Sequence, residues 1–369
     1  MVQRRQMLML MAATGVSACA DRFHAPLMPQ AGDVGILRPV FVATNRVPEP
    51  GGWFTTDRSE RISYMQLGVS IPPTHQKGQI RNGFKNPDPQ TDFAIATRTD
   101  MDGRQGFRAA LSRAIRAAPA DRREIALYIH GYNNSFFDGV FRTAQITHDF
   151  DVPAIPVHFS WPSATHPLGY TYDRDSVLFS RDALEELLRD LRAANPRRII
   201  LVAHSLGTML LMETLRQIEI ADPGWSRRAL SGVVLISPDL DIDLFRVQAR
   251  RFHELPQPFA IFVSKRDKAL ALSARINGAG ARLGNLRDAE ALGEFPVTIL
   301  DVSDFSSRNS HFTLGTSPAL ISLLSNSATL DVAFQTDRAG RSGLLPGTVL
   351  TVRNATQLIL SPDLLLTKL

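Results

Sequence analysis

The residues with the clearest chemical potential stand in "LVAHSLGTML", Leu201 to Leu210. Ser205 lies between an apolar run with the character of a strand, Ile199 to Ala203, and an apolar run with helical character from Leu206. A serine on a sharp strand-to-helix turn lifts its hydroxyl above the sheet, at the positive end of a helix, where developing negative charge is stabilised. The turn leaves room only for small residues two before and two after the serine. Ala203 and Gly207 meet that condition, Ala203 in place of the stricter glycine. The competing reading is an ordinary helix-capping serine. The strand on one side and the helix on the other favour the nucleophile.

A hydroxyl needs a base to become nucleophilic, and the base needs an orienting acid. On a strand–turn–helix of this kind the partners follow in the order acid, then histidine. Two histidines come after Ser205. His253, in "ARRFHELPQP", precedes the strand beginning at Phe259 and is too early; His311, in "SSRNSHFTL", follows the strand Val297 to Val302 and is the expected base. Asp267 follows the strand Phe259 to Ser264 and is the expected acid, because that strand is the more usual source; Asp239, after the preceding strand, is the alternative. Either carboxylate could instead cap a helix. The oxyanion left on the substrate needs backbone donors. Leu206 N–H supplies one, and Tyr132 N–H in "HGYNNS" the other, with Gly131 giving room for close approach.

These residues require a frame. "REIALYI", "PAIPVHFSW", "RRIILVA", "SGVVLIS", "QPFAIFVS" and "FPVTILDVS" are continuous apolar runs, as buried parallel strands are. Between them lie helical segments, of which "SRDALEELLRDLRAAN" places Leu184, Leu187, Leu188 and Leu191 on one face. Phe107, Leu111 and Ile115 share a face of an earlier helix. "RPVFVATNR" and "ISYMQLGVSIPP" are strands ahead of this alternation. Strands alternating with helices imply an α/β architecture, a mostly parallel sheet with helices on both faces. "GTVLTVRNATQLIL" has the pattern of a hairpin with Asn354 near its turn.

The chain resembles the α/β-hydrolases, and within them a bacterial family of uncharacterised esterase/lipase superfamily proteins. The resemblance rests on "FVATNR", "IHGYNNSF", "FSWPS", "YTYDRDS", "AHSLG", "SPDLD" and "SKRDKAL" followed by "SHF", from about Phe41 to Phe312. It implies the α/β-hydrolase fold and a triad of Ser205, Asp267 and His311. It implies cleavage of a carboxylic ester, from a small molecule or a lipid, through an acyl-enzyme. The same residues serve an amidase, a peptidase or a thioesterase, and a binding lipoprotein that kept the fold without turnover is the remaining alternative. Trp161, Tyr170 and Tyr172 could line a substrate mouth or pack a loop.

The first residues, "MVQRRQMLMLMAATGVSACA", pair Arg4 and Arg5 with a short apolar core and small residues before Cys19, the sole cysteine of the chain. This resembles a bacterial lipoprotein signal, cleaved so that Cys19 is acylated. The expectation is a signal at 1–18, a tether at 19–37, a catalytic domain at 38–325 and an extension at 326–369. The protein would face the periplasm of the cell envelope on a lipid anchor, or be secreted in soluble form. With 369 residues, 44% hydrophobic and 21% charged, the composition is globular. The net charge of +5 is spread out, without the aromatic-basic cluster of a nucleic-acid binder. No cofactor or metal is expected, since no zinc-type pair, phosphate loop or dinucleotide fingerprint occurs. "DLDIDL" fails as a calcium loop, with Leu244 where a glycine is needed and Arg250 where a glutamate is needed.

Overall fold

The computed structural model of the chain describes residues 24–83, 85–276, 282–286, 289–303, 316, 349–353 and 357–361. Among them, eleven strands form one sheet in the order β11-β10-β9-β8-β7-β6-β4-β5-β1-β2-β3. The middle strands are β4 (Glu124–Ile129), β5 (Ile155–Ser160), β6 (Arg198–His204), β7 (Gly232–Ile236), β8 (Phe259–Val263) and β9 (Thr298–Asp301). They pair in parallel, with Leu127 opposite both Val157 and Leu201, and Leu201 opposite Val233. Their sequences are apolar throughout because helices cover both faces.

The helices are α1 (Gly103–Ala117), α2 (Phe136–Asp149), α3 (Tyr170–Phe179), α4 (Arg181–Ala193), α5 (Gly207–Ala221), α6 (Trp225–Ala229), α7 (Ile242–Ala249) and α8 (Lys268–Ile276). α1 buries Phe107, Leu111 and Ile115, and α4 buries Leu184, Leu187, Leu188 and Leu191, the faces expected from spacing. α2 begins at a capping box in which Ser135 and Asp138 exchange side chain-to-backbone bonds of 2.9 and 3.1 Å. Among the described residues no helix is long and apolar enough to cross a membrane.

The chain leaves β4 toward β5 on one side and leaves β6 toward β7 on the other. A crevice opens at the carboxyl ends of strands where the winding reverses in this way, between β4 and β6. The loop after β4 and the turn after β6 therefore face each other.

The leading strands exceed expectation. β1 runs Ile36–Pro48 and β2 runs Phe54–Ile71, paired antiparallel, with register shifts on both sides of Arg46. A bulge re-aims a side chain, and Arg46 is turned inward to 1% exposure. β3 (Ala94–Asp100) follows β2 at the sheet edge. The segment expected as a tether is docked from Ala25 onward: Leu27 bridges Ile95, and Ser70 Oγ donates to Ala31 O at 2.6 Å. Burial of Ala25 and Ala31 in an otherwise polar stretch is what a composition reading overlooks. At the other end, β10 (Val349–Arg353) and β11 (Gln357–Ser361) form the expected hairpin, and β10 joins β9 in parallel, so the pair extends the same sheet.

Candidate active site

Ser205 occupies the two-residue break between β6 and α5. Its φ is +51°, a left-handed conformation that costs a non-glycine residue about 1 kcal/mol or more. The turn is held on every side. Ser205 N–H donates to Ile236 O at 3.0 Å. Its carbonyl accepts from Thr208 N–H at 3.0 Å, Thr208 Oγ1 at 2.6 Å and Asp239 N–H at 3.2 Å. The size rule holds, since a Cβ on Gly207 would lie 2.3 Å from His130 O. Ala203 is fully buried.

The loop after β4 presses against this turn. A Cβ on Gly131 would stand 2.8 Å from both Ser205 Cβ and His204 Nδ1. Only glycine lets the two backbones approach so closely. Among the described residues, neither Leu206 N–H nor Tyr132 N–H has a hydrogen-bond acceptor. Backbone donors are rarely left unpaired. Two such donors beside a strained serine are suited to an oxygen that carries negative charge.

Behind the loop lies a polar framework that sequence reasoning missed. Arg46 donates to Asn134 O at 3.0 Å, Ser163 O at 3.3 Å and Ser160 Oγ at 3.1 Å. Burial pushes its pKa down to about 10, against the opposing charges of Asp173 and Asp138. Asp173, fully buried, accepts from Ser163 Oγ at 2.6 Å, Ala164 N–H at 2.6 Å and Asn133 N–H at 3.2 Å. Burial raises its pKa, and these bonds oppose the rise. Asn134 Nδ2 donates to Tyr132 O at 2.8 Å. The motifs "FVATNR", "IHGYNNSF", "FSWPS" and "YTYDRDS" thus meet at one place. The signal was available in those motifs, but an arginine that ends a strand gives no hint of burial.

His130 stacks on Trp161, with centroids 4.7 Å apart and planes at 11°. Burial, and then the charges of Arg46 and His158, push its pKa well below the usual histidine value. The neutral ring has one proton to share between Gly131 O at 2.8 Å and Trp161 O at 3.0 Å. Trp161 is fully buried and so packs the loop from behind. Tyr172 donates to Thr56 O at 2.8 Å beneath the Arg58 guanidinium, stapling α3 to β2. Of the three aromatics considered for a mouth, Tyr170 is the one whose ring meets the loop after β4 on its open side, 5.5 Å from the Tyr132 ring.

The two candidate acids occupy different environments. Asp239 is 4% exposed; it accepts from Tyr170 OH at 3.0 Å and Ser273 Oγ at 2.7 Å. Arg282 Nε lies 3.3 Å from Asp239 Oδ1, within ion-pair range but out of line for a hydrogen bond. Burial and then the Asp239 charge push the Tyr170 hydroxyl up to about 12. Asp267, 1% exposed, caps α8: its Oδ1 accepts from Ala269 N–H at 3.0 Å and Leu270 N–H at 3.1 Å. His253 is exposed. His311 and Cys19 lie outside the described residues.

Away from the elbow, His75, His148 and Asp149 hold ligand-type atoms within 4.8 Å of one another. Asp149 is already bonded to His75 Nε2 at 2.6 Å, Gly78 N–H at 2.7 Å and Gln145 Nε2. With Arg38 against His148 at 3.2 Å, the group is a clasp between the 75–78 turn and the end of α2.

Residues 105–324 match the family described as "Alpha/beta hydrolase of unknown function (DUF900)". The chain belongs to that family. The fold of this alpha/beta hydrolase is accordingly the expected one, and hydrolysis is the class of chemistry its superfamily performs. Over 204 residues it is 26% identical to an uncharacterised protein of Nostoc sp. (strain PCC 7120), covering 48% of this chain and 50% of the relative. The chain therefore spans about half the length of that relative. Among solved structures, an esterase of Rhizomucor miehei is 11% identical, with 83% of this chain and 84% of that chain covered and a TM-score of 0.34. Carboxyl esterase 2 of Tuber melanosporum is 12% identical, with 84% and 88% covered and a TM-score of 0.32. These likenesses are loose, and the assignment rests on the family match and the strand order.

Proposed function

We propose that this hydrolase cleaves a carboxylic ester through an acyl-enzyme formed on Ser205. The observation that carries the reading is the strained serine, at φ +51°, with the Gly131 loop pressed against it and two backbone N–H groups that lack acceptors among the described residues. Ser205 Oγ attacks the ester carbonyl carbon while His311 takes the hydroxyl proton. The carbonyl oxygen becomes an oxyanion on Leu206 and Tyr132 N–H. Collapse expels the alcohol, which takes the proton from His311. Water, deprotonated by His311, then attacks the acyl-enzyme and releases the carboxylate and the free serine. Asp267 holds the imidazole in the productive tautomer. Asp267 also caps α8 through Oδ1, and the Asp239 carboxylate is engaged by Tyr170, Ser273 and Arg282.

The test combines labelling and turnover. A fluorophosphonate should modify Ser205 alone, as read by peptide mass spectrometry, and chromogenic esters of graded acyl length should be hydrolysed. Absence of labelling in folded protein would leave a binding protein. Labelling with turnover of amides or thioesters but not esters would move the reaction to those bonds.

The second half of the proposal concerns location. Residues 1–18 are removed and Cys19 is acylated, which holds the enzyme on a membrane of the cell envelope. One acyl chain anchors only marginally, so a multiply acylated protein should survive a high-salt wash in the membrane fraction. Cys19→Ser should release it or leave the precursor uncleaved. A mature chain with a free Cys19 thiol would overturn this half and leave the chemistry untouched.

A further inference from the structure

The docked leading segment decides which end of the molecule a lipid on Cys19 would hold to a membrane. Leu27 bridges Ile95 in parallel, and β3 runs parallel to β1 because each is antiparallel to β2. The chain before Leu27 therefore leads toward the end of the sheet where β1 and β3 begin. Ser205 stands at the other end. Phe41, Val157, Leu127 and Leu201 are level across β1, β5, β4 and β6. Ile95 is level with Val69 and Arg38, three residues before Phe41, whereas Ser205 comes four residues after Leu201. At about 3.3 Å per residue, Leu27 and Ser205 are about 20 Å apart along the strands. Cys19 precedes His24 by five residues, and Ala25 is already buried against the body. Five residues span at most about 18 Å when fully extended. That slack does not carry an acyl group on Cys19 round to the Ser205 end.

The surface at the near end suits lipid. Leu27, Ile36 and Leu37 are each about half exposed there. Aliphatic side chains beside an acyl anchor gain by entering the boundary between headgroups and acyl chains, and they add to the hold of the anchor. Leu168, 87% exposed, marks the opposite end: it follows Pro167, whose carbonyl accepts from Tyr132 OH on the loop after β4. We infer that the enzyme stands on the membrane with the starts of β1 and β3 in the interface and the Ser205 crevice facing away from it. Its substrate is then a water-soluble ester that arrives from the aqueous side, not an acyl lipid of the bilayer that holds the enzyme. The inference rests on the acylation of Cys19 and the Ser205 chemistry proposed above.

The test uses the acylated protein in vesicles of phosphatidylethanolamine and phosphatidylglycerol. Acylated Cys19 has no thiol and is the sole cysteine, so a thiol-reactive bimane should label Ile36→Cys and Leu168→Cys and leave the parent blank. Bimane at position 36 should lose at least about half its emission to lipids brominated in the upper acyl chain, since interfacial groups sit about 5–10 Å into that boundary. Bimane at position 168 should keep its emission. An unquenched label at 36, or a quenched one at 168, would overturn the orientation. A labelled parent would show a free Cys19 thiol, and acylation and orientation would fall together. In the same vesicles the enzyme should hydrolyse a chromogenic short-chain ester added to the water and release no fatty acid from the vesicle's own lipids. Fatty-acid release at a rate matching the soluble ester would overturn the substrate class. Turnover of neither would remove the Ser205 chemistry and the substrate class with it, while the quenching result still decides the orientation.

Discussion

Gly131→Ala tests the central geometry with one methyl group. The added Cβ would stand 2.8 Å from Ser205 Cβ and His204 Nδ1, and 3.0 Å from His204 O. Unstrained contacts between such atoms lie at about 3.5–4.0 Å, so the loop and the elbow must separate by about 0.7–1.2 Å. Gly131 does not use a positive φ, so alanine can adopt the backbone, and the penalty is the approach itself. Neither side yields easily. The elbow is tied to Ile236 and Thr208, and the loop is tied to Arg46 through Asn134. Overpacking of this kind costs about 1–3 kcal/mol of stability. Displacing Tyr132 N–H by nearly 1 Å from the oxyanion should cost about 10²-fold in kcat, as misplacement or loss of one such donor does. KM should stay within about threefold, because the donor acts on the transition state. The assay is steady-state hydrolysis of a chromogenic short-chain ester, with folding followed by circular dichroism. Gly51→Ala is the control, since nothing lies within 4 Å of its added Cβ. If folded Gly131→Ala keeps kcat within about threefold of the parent, the oxyanion assignment is wrong.

Ser205→Ala should lower turnover by about 10³-fold or more, while Ser205→Gly, equally inactive, should match or exceed the parent in stability by up to about 1 kcal/mol because it relieves the left-handed strain; a clearly lower melting temperature for the glycine variant would contradict the strain argument. Asp267→Asn should cut the rate and hardly move the melting temperature, since asparagine still caps a helix. Asp239→Asn should instead destabilise by about 3 kcal/mol or more by leaving Arg282 buried without its charge partner; a reversal of the two phenotypes would make Asp239 the acid. The fold holds His130, His148 and His158 below the ordinary histidine pKa of 6.5, His158 down to about 3, chiefly by burial. Below about pH 6.5 the unfolded chain binds more protons than the folded one, so stability should fall as pH falls. Asp173, raised by burial, works the other way only nearer the carboxylate range. Thermal melts from about pH 7 to about pH 5 should show a declining midpoint, and a flat or rising one refutes the assignment of neutral histidines.

The sheet was legible because its inner strands carry their burial in their composition: Ile125–Ile129 and Ile199–Ala203 are apolar on both faces. The elbow was legible because steric demand selects residue size at Ala203 and Gly207. The framework behind the loop after β4 was not. Arg46 looks like a residue leaving a strand, and only the register shifts on either side of it turn the guanidinium inward. Trp161 reads equally well as a wall of a mouth or as packing, because an aromatic side chain carries no sign of which face it takes. Ala25 to Ala31 reads as linker, since docking there uses backbone pairing and small side chains, neither of which leaves a hydrophobic pattern.

That docked segment bears on how the protein stays dispersed. β3 ends the sheet on its leading side, and an uncovered edge strand offers unpaired N–H and C=O groups to any other chain. Here Met28 N–H donates to Ile95 O at 2.8 Å, and the short turn Pro29–Asp33 lies along the same edge. Residues 24–35 act as a seal against edge-to-edge association. A chain shortened to begin at Ile36 would keep Ser205 and its surroundings yet uncover this edge, and it should self-associate in light scattering while a chain beginning at His24 stays monodisperse. The stretch that leads away from Cys19 would then have a duty unrelated to any membrane: it closes an edge that would otherwise template aggregation.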